Sequence, residues 1–117
     1  MQLEAIDIWR RVVDLTGITL LTYVTGDPNT ITEVQDTGSP SDRVVISNRD
    51  TFPIREDIIA AYQLLQTQGS LCRSTDLGWL ATPQKKTSSI VFRIVGEIAG
   101  SDVELTKGSP ETLTMRS

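Results

Sequence analysis

The sequence predicts an α+β fold: an N-terminal helix, a small antiparallel sheet of about three strands, and a helical region after it. Two observations predict this class. Apolar residues recur at helical spacing in residues 2–16, 53–68 and 87–98, and short β-branched runs separated by turn residues occupy 18–47. The chain has 117 residues, of which 38% are hydrophobic and 22% charged, as expected for one globular domain.

The first helix is predicted over residues 2–16, where apolar side chains share one face, and Gly17 is its expected end. Strands are predicted at 18–25, 30–35 and 43–47 because these runs are rich in β-branched residues. The sequence GDPN between the first two strands is typical of a hairpin turn. Three such strands need a helix over one face to be stable.

A helix over 53–68 is predicted because Pro53 suits a first helical turn and an apolar stripe follows it to the stop at Gly69. A short helix is expected over 75–81, and another begins at Thr87 or Ser88 and runs to Ile98.

The chain becomes polar after Gly100. We therefore predict a compact domain over residues 1–100 and a polar C-terminal tail over 101–117, with at most a short strand near 103–105.

Several functional classes are disfavoured by residues that the sequence lacks. It has no histidine and a single cysteine, Cys72, which we expect to be a buried, inert thiol. No glycine-rich phosphate-binding loop is present. We therefore expect a non-catalytic protein without cofactor or metal. The N-terminus has acidic residues among its apolar ones, and no apolar run is long enough to span a bilayer, so we expect a soluble, cytoplasmic protein without membrane contact.

Charge is distributed unevenly along the chain. The net charge is −4, and residues 1–40 hold two basic and six acidic residues. Residues 72–97 instead hold four basic and two acidic residues. This segment is the basic part of an acidic protein, which allows a local contact with nucleic acid but not a general electrostatic attraction.

Residues 54–98 resemble a helix-turn-helix, of winged-helix type, on the stretches AYQLLQTQG, DLGWLA and TSSIVFRIVGEI. In this resemblance Ala81 lets two helices approach closely, and Val91 and Ile94 hold the recognition helix down. Lys85 stands where the family often has glycine, and no wing is apparent after Gly100. The resemblance implies a three-helix region that binds double-stranded DNA through the major groove.

If the resemblance holds, the helical geometry names candidate contacts. Lys85 and Lys86 would meet phosphate, and Arg93 would project outward to a guanine edge. The full candidate set for nucleic-acid binding is Arg73, Lys85, Lys86, Ser88, Ser89 and Arg93. Phe92 lies beside the apolar stripe of its helix, so we expect it to be partly exposed and to mark a protein contact or homodimer surface.

Other interpretations remain open. The stretches IWRRVVDLTG, NRDTFPI and KKTSSIV resemble small prokaryotic domains that accompany restriction or mobile-element systems, which implies an accessory role. A metal-dependent nuclease would use Asp27 and Glu33 near the hairpin, but Gln35 stands where such sites carry a lysine. The main alternative to a nucleic-acid-binding regulatory or accessory protein is an adaptor that binds another protein at a sheet edge or at the Phe92 face.

Overall fold

A computed structural model of the chain describes residues 2–23, 25–107 and 111–116. It has a mixed α+β fold, which confirms the predicted class. The helices are α1 (Ala5–Val13), α2 (Arg55–Gln68), α3 (Arg73–Asp76) and α4 (Ser88–Ala99), with short 3₁₀ turns at Gly78–Leu80 and Gly100–Asp102. The strands are β1 (Thr19–Leu21), β2 (Pro28–Val34), β3 (Val44–Ile46), β4 (Ser70–Cys72), β5 (Val103–Thr106) and β6 (Thr112–Met115).

The predicted N-terminal helix and first sheet are both present. Helix α1 buries Ile8, Trp9 and Val12 on one face. Strands β1, β2 and β3 form an antiparallel sheet in that order, and Leu20 pairs with Asn29 in its first ladder. Strands β1 and β3 bury alternate residues, and β2 does so up to Ile31, where its register with β3 shifts, so the sheet turns one face to the core.

Helix α2 begins two residues later than the prediction because Ile54 has an extended backbone. Ile54 forms an antiparallel β-bridge with Arg43, the residue just before β3. Its first N–H groups are capped by the loop before β3: Arg55 donates to the Asp42 carbonyl oxygen at 2.7 Å and Glu56 to that of Pro40 at 3.0 Å. The Asp42 carboxylate in turn accepts hydrogen bonds from Thr37, Gly38 and Arg55. These bonds, that of Thr37 foremost, lower the pKa of Asp42.

A second antiparallel sheet follows, in the order β4-β6-β5. The prediction of a polar tail over 101–117 is wrong, because this segment supplies β5 and β6 and buries Val103 and Leu113. After Gly100 the chain thus forms two antiparallel strands, β5 and β6, where at most one short strand was expected. Both strands, like β4, turn few apolar side chains inward, so their alternating pattern is too short to stand out in the sequence.

The helix predicted over 75–81 is divided into α3 and a 3₁₀ turn. Leu77 leaves helical geometry at φ −113° and is buried together with Leu80. Ala81 is exposed, so it does not fill the close helix contact that the resemblance assigned to it. The described residues form four helices, and of the three that follow the first sheet α3 has only four residues and is separated from α2 by β4. The clean three-helix arrangement is therefore not confirmed.

Helix α4 lies in the middle of the fold. Eight of its twelve residues are buried. It contacts α1, α2, β1 and β5, so elements from both halves of the chain cover it. A helix that is apolar on nearly all sides is stable only when surrounded in this way.

Gly96 is the position where α4 and the first sheet approach most closely. A Cβ built on Gly96 would overlap the hydroxyl of Tyr23, just beyond β1. The Tyr23 ring also packs edge-on against Phe92, with 5.8 Å between the ring centroids. Glycine at position 96 is therefore required by contact with Tyr23 and not by helix geometry.

We predict that Gly96→Ala destabilises the protein by about 1–3 kcal/mol, since overpacking outweighs the roughly 1 kcal/mol that alanine gains in a helix. Urea denaturation followed by circular dichroism measures this. Gly78→Ala is the matched control, because nothing lies within 4 Å of a Cβ at Gly78. Tyr23→Phe in the Gly96→Ala background should restore part of the loss; equal stabilities for Gly96→Ala and Gly78→Ala would contradict the contact.

Candidate functional site

The six residues predicted to bind nucleic acid fall into two groups in the structure. Ser88 and Ser89 occupy the first turn of α4, and Lys86 comes just before that turn. Lys86 and Ser89 are exposed, and Ser88 is half-buried. The other three, Arg73, Lys85 and Arg93, are held by acidic partners within the fold, as described next.

Arg93 is part of the contact between α4 and the first sheet. Its Nε donates to the Leu21 carbonyl oxygen at 2.7 Å, and its Nη1 lies 2.9 Å from Glu97 Oε1. The guanidinium stacks 4.7 Å from the Tyr23 ring centroid, and only 16% of the side chain is exposed. The expectation that Arg93 projects freely outward to a guanine edge is therefore wrong for this structure.

Lys85 and Arg73 each form an ion pair with an acid that is largely buried. Lys85 Nζ lies 3.0 Å from Asp57 Oδ2 and also above the Trp79 ring. Arg73 Nε lies 2.7 Å from Glu111 Oε1. A buried carboxylate is destabilising without a partner. These two basic side chains therefore stabilise the fold, and binding a ligand would require them to leave their acidic partners.

Phe92 is fully buried, with 0% of its surface exposed. It packs against Tyr23 on the side of α4 that the first sheet covers. The expectation that Phe92 is partly exposed and marks a protein contact or dimer surface is therefore wrong. Helical periodicity predicted that Phe92 lies beside the apolar stripe of α4. In the structure the first sheet also covers that side of the helix, so Phe92 is buried as well.

A cleft of about 680 Å³ opens beside the N-terminal end of α4. One wall comes from the β1–β2 connection and the start of β2, and the other from Arg73, Ser89 and Glu111. Asn48 and Arg49, which follow β3, also line the cleft. Two of the predicted residues, Arg73 and Ser89, thus meet here.

The β1–β2 connection has an internal hydrogen-bond network. Thr25 Oγ1 donates to Asp27 Oδ2 at 2.7 Å, and Thr22 Oγ1 accepts from the Asp27 N–H at 3.0 Å. Asn29 Nδ2 donates to the Asp27 carbonyl oxygen at 3.1 Å. These bonds hold the rim of the cleft and engage one oxygen of the Asp27 carboxylate.

Arg49 is the cleft residue that the sequence prediction missed. Its Nη2 donates to the Lys86 carbonyl oxygen at 2.8 Å, and the ion pairs of residues 2–23, 25–107 and 111–116 do not include it. Burial lowers the pKa of Arg49. It therefore carries a partly desolvated charge without an ion-pair partner among the described residues, although Asp27 and Glu111 line the same cleft. It lies in the stretch NRDTFPI, which has no local pattern that marks this arginine as a contact.

The nuclease interpretation receives no support from the geometry. Asp27 immediately precedes β2 and Glu33 lies near its end, so about 3.3 Å per residue separates them by roughly 20 Å. Among the described residues, His, Cys, Asp and Glu side chains form no group of three or more that suits a metal ion.

Cys72 lies at the end of β4 and is half-exposed, so the expectation of a buried thiol is wrong. The hydroxyls of Ser74 and Thr75 lie 3.6 Å from its Sγ. These contacts, Thr75 foremost, lower the pKa of Cys72 to about 7. Hydrogen bonds to the thiolate favour the charged form.

We predict that iodoacetamide alkylates Cys72 with a rate that rises with pH through a midpoint near 7, because the thiolate is the nucleophile. Mass spectrometry at a series of pH values measures this. Thr75→Ala should move the midpoint upward more than Ser74→Ala, following the size of the two contributions. A wild-type midpoint at the ordinary value of about 8.5 would contradict the described geometry.

None of the helices in the described part of the chain is long and apolar enough to cross a membrane. Comparison of the chain with family models, with curated proteins and with solved structures finds no match. The function must therefore be inferred from the geometry of the chain itself.

Proposed function

We propose that this is a small, non-catalytic nucleic-acid-binding protein with a regulatory or accessory role. Its contact surface is the N-terminal end of α4 with the adjoining cleft, and not the length of α4. The single observation that carries the proposal is that Arg49 and Ser89 line one cleft at this end of the helix, where Arg49 is bonded to the carbonyl oxygen of the exposed Lys86.

The order of elements after the first sheet supports the proposal. Helix α2 is followed by β4, by α3 and α4, and then by the β5–β6 hairpin, which pairs with β4. A winged helix has the same succession of helix, strand, two helices and hairpin. In this comparison α4 takes the place of the recognition helix, and the β5–β6 hairpin that of the wing.

The electrostatics of α4 favour an anion at its N-terminal end. Thr87 precedes the helix without a side-chain cap, and the first turn contains no acidic residue. The N–H groups of this turn and the positive end of the helix dipole therefore attract phosphate. At the other end of α4, Arg11 Nη1 donates to the Ile98 carbonyl oxygen at 2.8 Å, so this carbonyl oxygen already has a hydrogen-bond partner.

The remainder of α4 is covered, which limits how DNA approaches. Arg93 and Glu97 are the residues that would face a groove, and both are linked to each other or to β1. A nucleic acid therefore meets the end of α4 first. We expect mainly phosphate contacts there, which position a duplex without reading much sequence.

An adaptor that binds another protein is the second candidate. The observation in its favour is the exposure of large apolar side chains near β1: Ile18 is 40% and Leu21 is 55% exposed. Strand β1 is an edge strand of its sheet, and edge strands accept added strands from partners. This candidate predicts no affinity for nucleic acid.

We predict that the protein binds a fluorescein-labelled 20-base-pair duplex of random sequence with micromolar affinity at low salt. Fluorescence anisotropy over a salt series should give a log–log slope of about −2 to −3, as expected for two or three phosphate contacts. Lys86→Glu should weaken binding by at least about tenfold. Arg10→Glu is the matched control, because Arg10 is equally exposed but lies on α1.

Two results would count against the proposal. Equal weakening by Lys86→Glu and Arg10→Glu would show that only total charge matters. Absence of binding at low salt would favour the adaptor, and Leu21→Lys would then be tested for loss of a copurifying partner.

A further inference from the structure

We propose that the cleft beside α4 binds one nucleotide, with its phosphate at Arg49 and Ser89 and its base facing Asn48 and Tyr23. This inference rests on the proposed function, because it takes nucleic acid as the ligand. It goes further by assigning the cleft to an exposed nucleotide, such as one at a strand end or in a single-stranded segment.

The four charged side chains that line the cleft, Asp27, Glu111, Arg49 and Arg73, sum to zero, and they differ in how they are partnered. The carboxylate of Glu111 is held by Arg73 at 2.7 Å, and that of Asp27 accepts the Thr25 hydroxyl. Arg49 is bonded only to a backbone carbonyl oxygen among the described residues. Arg49 thus keeps donors that no acidic side chain of the described residues takes up, and beside the Ser89 hydroxyl these donors suit an anionic group of a ligand. The Asp27 carboxylate lacks an ion-pair partner as well, so the anionic group belongs at the Arg49 and Ser89 side of the cleft.

Arg49 suits phosphate in particular. A guanidinium has five N–H donors in a planar fork that matches two phosphate oxygens. The bond to the Lys86 carbonyl oxygen uses one donor and holds the side chain beside the first turn of α4. The exposed Ser89 hydroxyl lines the same cleft and can donate to the same phosphate.

The rest of the cleft suits a base. Asn48 is exposed in the left-handed region at φ 64°, and its side-chain amide makes no hydrogen bond within residues 2–23, 25–107 and 111–116. An amide offers the donor and acceptor that a base edge requires. Tyr23 and Pro28 add an aromatic and an aliphatic surface to the same cleft. Bases stack on such surfaces with little dependence on sequence.

The size of the cleft agrees with a ligand of this class. Small-molecule sites commonly enclose about 300–1,000 Å³. The cleft, at about 680 Å³, is larger than a phosphate ion needs. Its rim is fixed by the hydrogen bonds around Asp27, so the site is largely formed before a ligand arrives.

The test is isothermal titration calorimetry of the full chain with thymidine 5′-monophosphate, adenosine 5′-monophosphate, the matching nucleosides and inorganic phosphate. The monophosphates should bind at least about tenfold more tightly than either the nucleosides or phosphate alone, since both parts contribute. Arg49→Gln should lower the affinity for the monophosphates by at least about tenfold. Asn48→Ala should lower the affinity for the monophosphates by a smaller factor and leave the affinity for inorganic phosphate unchanged.

Arg43→Gln is the matched control, because Arg43 is exposed, lies outside the cleft and stacks on Phe52. Circular dichroism spectra of all variants should coincide. In parallel, the labelled duplex is titrated with and without an unpaired nucleotide at one end. The duplex with the unpaired nucleotide should bind more tightly, and Arg49→Gln should remove that difference.

The outcomes separate this inference from the proposed function. Duplex binding without any monophosphate binding would overturn the nucleotide site and leave the proposed function in place. Phosphate binding as tight as monophosphate binding would overturn the role given to Asn48 and Tyr23. Absence of both duplex and monophosphate binding would overturn both proposals.

Discussion

The structure depends on α4 being apolar on nearly every side. A helix of this kind has to be enclosed, and the chain encloses it with α1 and β1 from its first half and with α2 and β5 from the remainder. Near its C-terminal end the Ile98 carbonyl oxygen accepts a hydrogen bond from Arg11, whereas its first turn has neither a side-chain cap nor an acidic residue. Because most of its length is buried and its outward Arg93 and Glu97 are paired with each other, the N-terminal end is the part of α4 that we propose for a ligand.

The same contacts that enclose α4 also build the cleft. Tyr23 packs against Phe92 and Gly96 and stacks with Arg93, and this fixes the first sheet against the helix. The β1–β2 connection is thereby placed opposite the first turn of α4. Arg49 joins the two sides through the Lys86 carbonyl oxygen. Helix α4 is in this way a core helix, and the proposed contact lies at its N-terminal end.

Elements with long apolar stripes could be predicted from the sequence. Elements and residues whose surroundings depend on tertiary contacts could not. Helix α2 and the three-stranded first sheet were predictable because Ile58, Ala61 and Leu65 keep helical spacing and β-branched runs flank the GDPN turn. Strand β6 was not, since Leu113 is its one fully buried residue. Phe92 and Arg93 were misplaced because their surroundings are supplied by Tyr23, more than 60 residues away in sequence. Arg49 was missed because a lone arginine in a loop has no local pattern.

Backbone NMR during titration with a short duplex tests the central claim most directly, because it locates the contact on the chain. Amide resonances of Asn48, Arg49, Lys86, Ser88 and Ser89 should move together as the duplex is added, while those of Arg93 and Glu97 stay in place. Shifts concentrated along the second and third turns of α4, with the β1 resonances moving as well, would contradict the account. They would mean that the first sheet leaves α4 and that the helix enters a groove along its length.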